Sequence, residues 1–111
     1  MSFNVQKITG DITVIDCPRR LDANVSEELK KIMLELIEDN KYKIVINLSN
    51  TRYVDSSGLG AIVSRISATR SNNGDVRLAT KTQAILDLLD LTRLNKIIKC
   101  YDDVNKATKS F

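Results

Sequence analysis

Apolar positions along the chain follow two different periods, and the switches between them mark the elements. In FNVQKI, residues 3–8, apolar and polar residues alternate, and Phe3, Val5 and Ile8 are expected on one buried face. ITVIDC, residues 12–17, reads as a second strand across the turn signal Gly10-Asp11, and so short a turn predicts an antiparallel hairpin. Val25, Leu29, Ile32, Met33, Leu36 and Ile37 then recur at the three-and-four spacing that lines one face of a helix. Asn24 or Asp22 is the expected cap, and Glu27, three residues after Asn24, completes a capping-box pattern. In KIVINLS, residues 43–49, Ile44, Val45, Ile46 and Leu48 are apolar almost without alternation, which predicts a strand covered on both faces.

Leu59, Ile62, Val63 and Ile66 mark a second helix. It is expected to run to Asn72-Asn73-Gly74-Asp75, where asparagine or glycine takes a left-handed backbone. VRLAT follows as a short strand and TQAILDLLDL as a third helix with Ile85, Leu88 and Leu89 inward. KIIKCY is the last strand, and DDVNKATKSF a short final helix with Asp102 as its cap. The order is strand, strand, helix, strand, helix, strand, helix, strand, helix. Strict alternation after the hairpin implies right-handed crossovers and a mixed, largely parallel sheet. No linker, repeat or low-complexity segment interrupts the pattern, so residues 1–111 are expected to form one α/β domain.

Composition narrows the chemistry. Apolar residues make up 42% and charged residues 28%, ordinary values for a globular chain. The opening MSFNVQKITGD lacks the basic start and long apolar stretch of a signal peptide, and no apolar run is long enough for a membrane span; the cytoplasm is the expected compartment. Cys17 and Cys100 lie far apart in apolar contexts and read as free thiols rather than a disulfide or metal pair. The chain has no histidine, which removes Ser-His and Cys-His nucleophile pairs, a histidine base and most zinc sites together. The net charge of +3 arises in the second half, where Arg65, Arg70, Arg77, Lys81 and Arg93 stand singly without interleaved aromatics. That pattern predicts a solvated surface and no direct contact with nucleic acid.

One stretch stands apart. RYVDSSGLGAIVS, residues 52–64, places an acid, two serines and two glycines where a buried strand hands over to a helix. Open α/β sheets commonly place their sites at such a junction. A dinucleotide fingerprint fails because Val63 stands at the third glycine position, and a Walker loop fails because Ala61 follows Gly60. A hydrolase elbow fails because Val54-Asp55 precede Ser56 and no histidine can take its proton. A paired-carboxylate site from Asp22 and Asp55 is explained more simply by two helix caps. The remaining readings are a plain capped helix and a small polar surface that a partner or modifying enzyme reads. Capping needs one side chain, whereas Asp55, Ser56 and Ser57 stand in a row. For Leu59, the spacing to Ile62 and Val63 favours the core over a partner anchor.

INLSNTRYVDSSGLGAIVS, residues 46–64, resembles the signature of anti-sigma factor antagonists, small bacterial members of the STAS domain family. RRLDA at Arg19–Ala23 resembles the family's turn before its first helix, and LDLLDLTRLNKIIKCYDDVNKA resembles its closing helix, strand and helix. The likeness covers essentially the whole chain. It departs at Thr92-Arg93-Leu94, where the family often has Thr-Gly-Leu. The resemblance implies a regulator without enzymatic activity, cofactor or metal. Its unmodified form would bind an anti-sigma factor that is also a serine kinase, freeing the sigma factor; phosphorylation would release it, and a serine phosphatase would restore it. Carried over by position, the phosphoacceptor is Ser56, with Asp55, Ser57, Gly58, Leu59 and Gly60 around it and Asp22 on a neighbouring loop. The alternative is a STAS module that binds a small ligand or nucleotide, or scaffolds an assembly, without being phosphorylated.

Overall fold

A computed structural model describes residues 2–8 and 10–111. Gly10 and Asp11 both take positive φ and close the hairpin of β1 (Asn4–Ile8) and β2 (Ile12–Asp16), which pair antiparallel as expected. A two-residue strand, β3 (Arg20–Leu21), precedes α1 (Ser26–Glu38). Next come β4 (Lys43–Asn47), a second short strand β5 (Tyr53–Val54), α2 (Ser56–Val63) and α3 (Ile66–Arg70). The chain ends with β6 (Asp75–Ala79), α4 (Gln83–Leu91), a single 3-10 turn at Leu94–Lys96, β7 (Cys100–Tyr101) and α5 (Val104–Lys109).

The main sheet has the order β1-β2-β4-β6-β7, and every pairing after the first is parallel. β4 lies at its centre, and Ile44, Val45 and Ile46 are fully buried because both faces are covered. Ile44 and Ile46 face the larger core with Leu29 and Met33 of α1, Ile62 of α2, and Ile85 and Leu89 of α4. Val45 faces the other way, with Ile12, Val14, Ala79 and Ala107 of α5. The mixed α/β fold read from the periodicity is therefore the fold observed.

Several local expectations give way. Phe3 is buried, but Val5 and Ile8 are exposed at 42% and 37%. β1 is an edge strand, and its pairing puts Val5 opposite Ile15 and Ile8 opposite Ile12, on opposite faces of the sheet. Neither Asn24 nor Asp22 caps α1: the N-cap position is Val25, which has no side-chain bond, so the capping box with Glu27 does not form. Asp22 Oδ1 instead accepts from the Asn24 N–H at 3.1 Å, an Asx turn that orders the approach to the helix. The helix expected to run from Leu59 to Asn72 breaks in two. The Ser64 hydroxyl and N–H both turn back to the Ala61 carbonyl, diverting the ladder before α3 begins. At its end Asn73 takes the left-handed backbone, while Gly74 is needed for space, since a Cβ there would overlap the Tyr42 carbonyl.

In KIIKCY only Cys100 and Tyr101 join the sheet; the Ile97 carbonyl instead accepts from Arg70 Nη2. α5 is capped by Asp103, which accepts from the Lys106 N–H at 2.8 Å, whereas Asp102 forms an ion pair with the Lys106 side chain. Arg70 and Arg77 do not stand free on the surface as expected. Both hold the buried Asp75, at 2.9 and 3.2 Å, and Arg77 also lies over the Phe111 ring. Arg93 takes φ 62, so arginine occupies the left-handed turn where the family often has glycine. Cys17 and Cys100 are free, and burial pushes both thiols above their ordinary range.

Candidate functional site

Two four-residue strings, Arg-Arg-Leu-Asp at 19–22 and Arg-Tyr-Val-Asp at 52–55, meet in space. β3 and β5 pair in parallel, Arg20 with Tyr53 and Leu21 with Val54, and form a ribbon separate from the main sheet. Leu21 and Val54 point into the core, which fixes the register. Arg20 and Tyr53 are exposed on the other side, with the guanidinium 4.2 Å from the ring centroid. The ladder continues as the Asp55 N–H donates to the Leu21 carbonyl at 3.2 Å. The loop after β3, with Asp22, is thereby held beside the loop after β5, with Asp55. Arg20 Nε reaches Asp22 Oδ2 at 3.4 Å.

α2 starts at this junction. Asp55 is its N-cap, with extended backbone and Oδ1 accepting from the Gly58 N–H at 2.9 Å. That bond, first among several, holds the Asp55 carboxyl below the ordinary carboxylate range against the opposing effect of desolvation. Asp55 is thus ionised at neutral pH and suited to capping, not to donating a proton. Because aspartate takes the cap, neither serine is needed there. Ser56 is the first helical residue and is exposed; Ser57 is half-buried.

The two glycines differ. Gly58 is buried, and a Cβ there would overlap the Leu21 carbonyl oxygen and crowd the Leu21 and Val54 side chains. It supports the site from beneath the surface on which the sequence reading placed it. Gly60 is exposed, with nothing within 4 Å of the position a Cβ would take. Leu59 is half-buried against the larger core.

A family model described as the STAS domain matches residues 3–107. The chain belongs to the STAS domain family. It is 30% identical over 100 residues to the anti-sigma F factor antagonist of Paenibacillus polymyxa, covering 88% of this chain and 86% of that protein. To the anti-sigma-B factor antagonist of Staphylococcus epidermidis it is 26% identical over 110 residues, 98% of each. The solved structure of an anti-sigma-factor antagonist (STAS) domain protein from Planctomyces limnophilus superposes with a TM-score of 0.86. It covers 97% of this chain and 96% of that one at 18% identity, a likeness of fold.

In this STAS domain the β3–β5 ribbon is the feature that the sequence reading missed, together with its outward pair Arg20 and Tyr53. Two residues per strand are too few for a periodicity signal. The available signal was the repeated Arg-x-apolar-Asp pattern, whose apolar members, Leu21 and Val54, pair across the ribbon. The ribbon is what brings Asp22 into the neighbourhood of Asp55 and Ser56.

Proposed function

We propose that this STAS domain is an anti-sigma factor antagonist whose docking surface is centred on Ser56 and switched by phosphorylation there. The unmodified form binds an anti-sigma factor with serine-kinase activity and so releases the sigma factor. The phosphorylated form lets go, and a serine phosphatase resets it. The observation that carries this reading is that Asp55 takes the N-cap of α2 and leaves the neighbouring Ser56 exposed, with no part in capping. The names of the curated relatives, antagonists of anti-sigma F and anti-sigma-B factors, support the same role.

A phosphate on Ser56 adds roughly −1.5 to −2 charges. It would sit at the amino end of α2, where the helix dipole favours negative charge, so the fold tolerates it. The cost falls on the partner. Burying an unpaired or like-charged group at an interface costs about 2–5 kcal/mol. At about 1.4 kcal/mol per tenfold, that weakens binding by roughly thirtyfold to several-thousandfold. Asp22 and Asp55 beside the phosphate add to the repulsion against an acidic contact on the partner.

The direct test is incubation with ATP and the serine-kinase anti-sigma factors of the same genome, followed by mapping of the modified residue. Phosphate on Ser56, and none on a Ser56→Ala variant, is expected. Modification of Ser57 instead, or of neither serine, would contradict the assignment.

A further inference from the structure

The helices that follow the parallel strands do not all return on the same side. α1, α2 and α4 pack on the face that holds the larger core, whereas α5 packs on the opposite face with Val45 and Ala79. β6 is followed by α4 and its neighbour β7 by α5, so two adjacent strands send their chains to opposite faces. The carboxyl ends of such a strand pair leave a crevice, and open α/β sheets bind ligands there. The molecule has a cavity at that place, of about 530 Å³ and lined by Ser49, Arg52, Lys81, Thr82, Asp102 and Asp103. These residues follow β4, β6 and β7, at the carboxyl edge of the sheet.

Charge is unevenly distributed around it. On the β7 side both carboxylates are already engaged. Asp102 is 3.3 Å from Lys106 Nζ, and Asp103 accepts from the Lys106 N–H. On the β4 and β6 side, neither Arg52 nor Lys81 forms an ion pair among the described residues. Arg52 is nevertheless fixed. Its Nη1 donates to the Ser49 and Thr51 carbonyls and to Thr82 Oγ1, at 3.1, 3.3 and 3.1 Å, while the Thr82 hydroxyl bonds the Thr51 carbonyl. A guanidinium held in place loses little freedom on taking an anion, and it presents a planar fork suited to phosphate or carboxylate oxygens. Beside it Lys81 supplies a second cation on an exposed, mobile stem.

We propose that this crevice is a binding site for a phosphate group, held by Arg52 and Lys81, with Asp102 and Asp103 accepting from hydroxyl or amine donors when the phosphate is carried by a small organic molecule. Its lining includes none of the residues around Ser56, and binding there does not depend on phosphorylation of that serine. It shares the loop that begins after β4, which carries Ser49 and Arg52 and then runs into β5 and Asp55.

The test is a titration of the isotope-labelled protein with inorganic phosphate and, separately, glycerol 3-phosphate, followed by amide chemical shifts at constant ionic strength, with sodium chloride as the control. Saturable shifts are expected at Ser49, Arg52, Lys81 and Thr82 with one shared affinity, absent with chloride. Lys81→Gln changes an exposed side chain without an ion pair, keeps the fold, and is expected to weaken binding about tenfold, the loss of one charge-assisted contact. Tighter binding of glycerol 3-phosphate identifies an organic phosphate as the ligand, whereas equal binding identifies phosphate itself. Shifts that do not saturate, that scatter over other surface lysines, or that persist undiminished in Lys81→Gln would overturn the proposal.

Discussion

Gly58 and Gly60 lie two positions apart in α2 and are under opposite constraints. At Gly58 a single methyl group would drive into the Leu21 carbonyl, so Gly58→Ala must push α2 off the β3–β5 ribbon. Overpacking of this kind costs about 1–3 kcal/mol, measurable by urea unfolding. Gly60 has open space around it, and Gly60→Ala is expected to raise stability by about 0.5–1 kcal/mol through the backbone entropy of the unfolded chain. If Gly60 belongs to the docking surface, the same variant weakens binding to the anti-sigma factor while it strengthens the fold; unchanged binding would remove Gly60 from that surface. Asp55 gives a pH signature at the same scale. Its folded pKa lies below the unfolded value of about 3.9, so its contribution to stability is complete above that value and is lost as pH falls through the folded pKa. The acid limb of the stability–pH curve should therefore flatten in Asp55→Asn, and a limb of unchanged steepness would show that the Gly58 bond does not set it.

At the scale of elements, helix ends give the clearest contrast between neighbouring residues. Asp103→Ala removes the cap of α5 and is expected to lower stability by about 1 kcal/mol, whereas Asp102→Ala breaks only an exposed i,i+4 pair worth about 0.3–0.5 kcal/mol. Thermal melts of the two variants decide between them. The sequence was ambiguous here because two aspartates in succession fit one cap, and only the backbone shows which has the extended conformation. Elements with strong periodicity, such as α1 with its stripe from Leu29 to Leu36 and β4 with its unbroken apolar core, were legible because burial demands that spacing. Those that escaped were set by particular hydrogen bonds, one local and one distant in sequence, that no periodicity reports. The break between α2 and α3 depends on Ser64 bonding backward, and β7 is short because the Ile97 and Ile98 N–H groups both donate to the Leu94 carbonyl while the Ile97 carbonyl accepts from Arg70. At the site, the Asp-Ser-Ser-Gly string was visible at once. The ribbon beneath it was not, because the pairing of Leu21 with Val54 joins positions 33 residues apart.

For the molecule as a whole, the surface around Ser56 rests on the packed core over the central parallel strands. β4 is buried on both faces, α1 and α2 pack over the larger core, and α2 starts from a ribbon whose inner residues, Leu21 and Val54, belong to that core. On the proposed reading, a charge added at Ser56 falls on this packed arrangement, and the switch works at the interface and not by refolding. Placing phosphoserine at position 56 during synthesis and measuring, on one preparation, calorimetric affinity for the cognate anti-sigma factor and the melting temperature tests this most directly. The account predicts a loss of affinity of at least about thirtyfold with a melting temperature within about 2 °C of the unmodified protein. Full affinity in the phosphorylated protein, or a loss accompanied by a large fall in melting temperature, would contradict it.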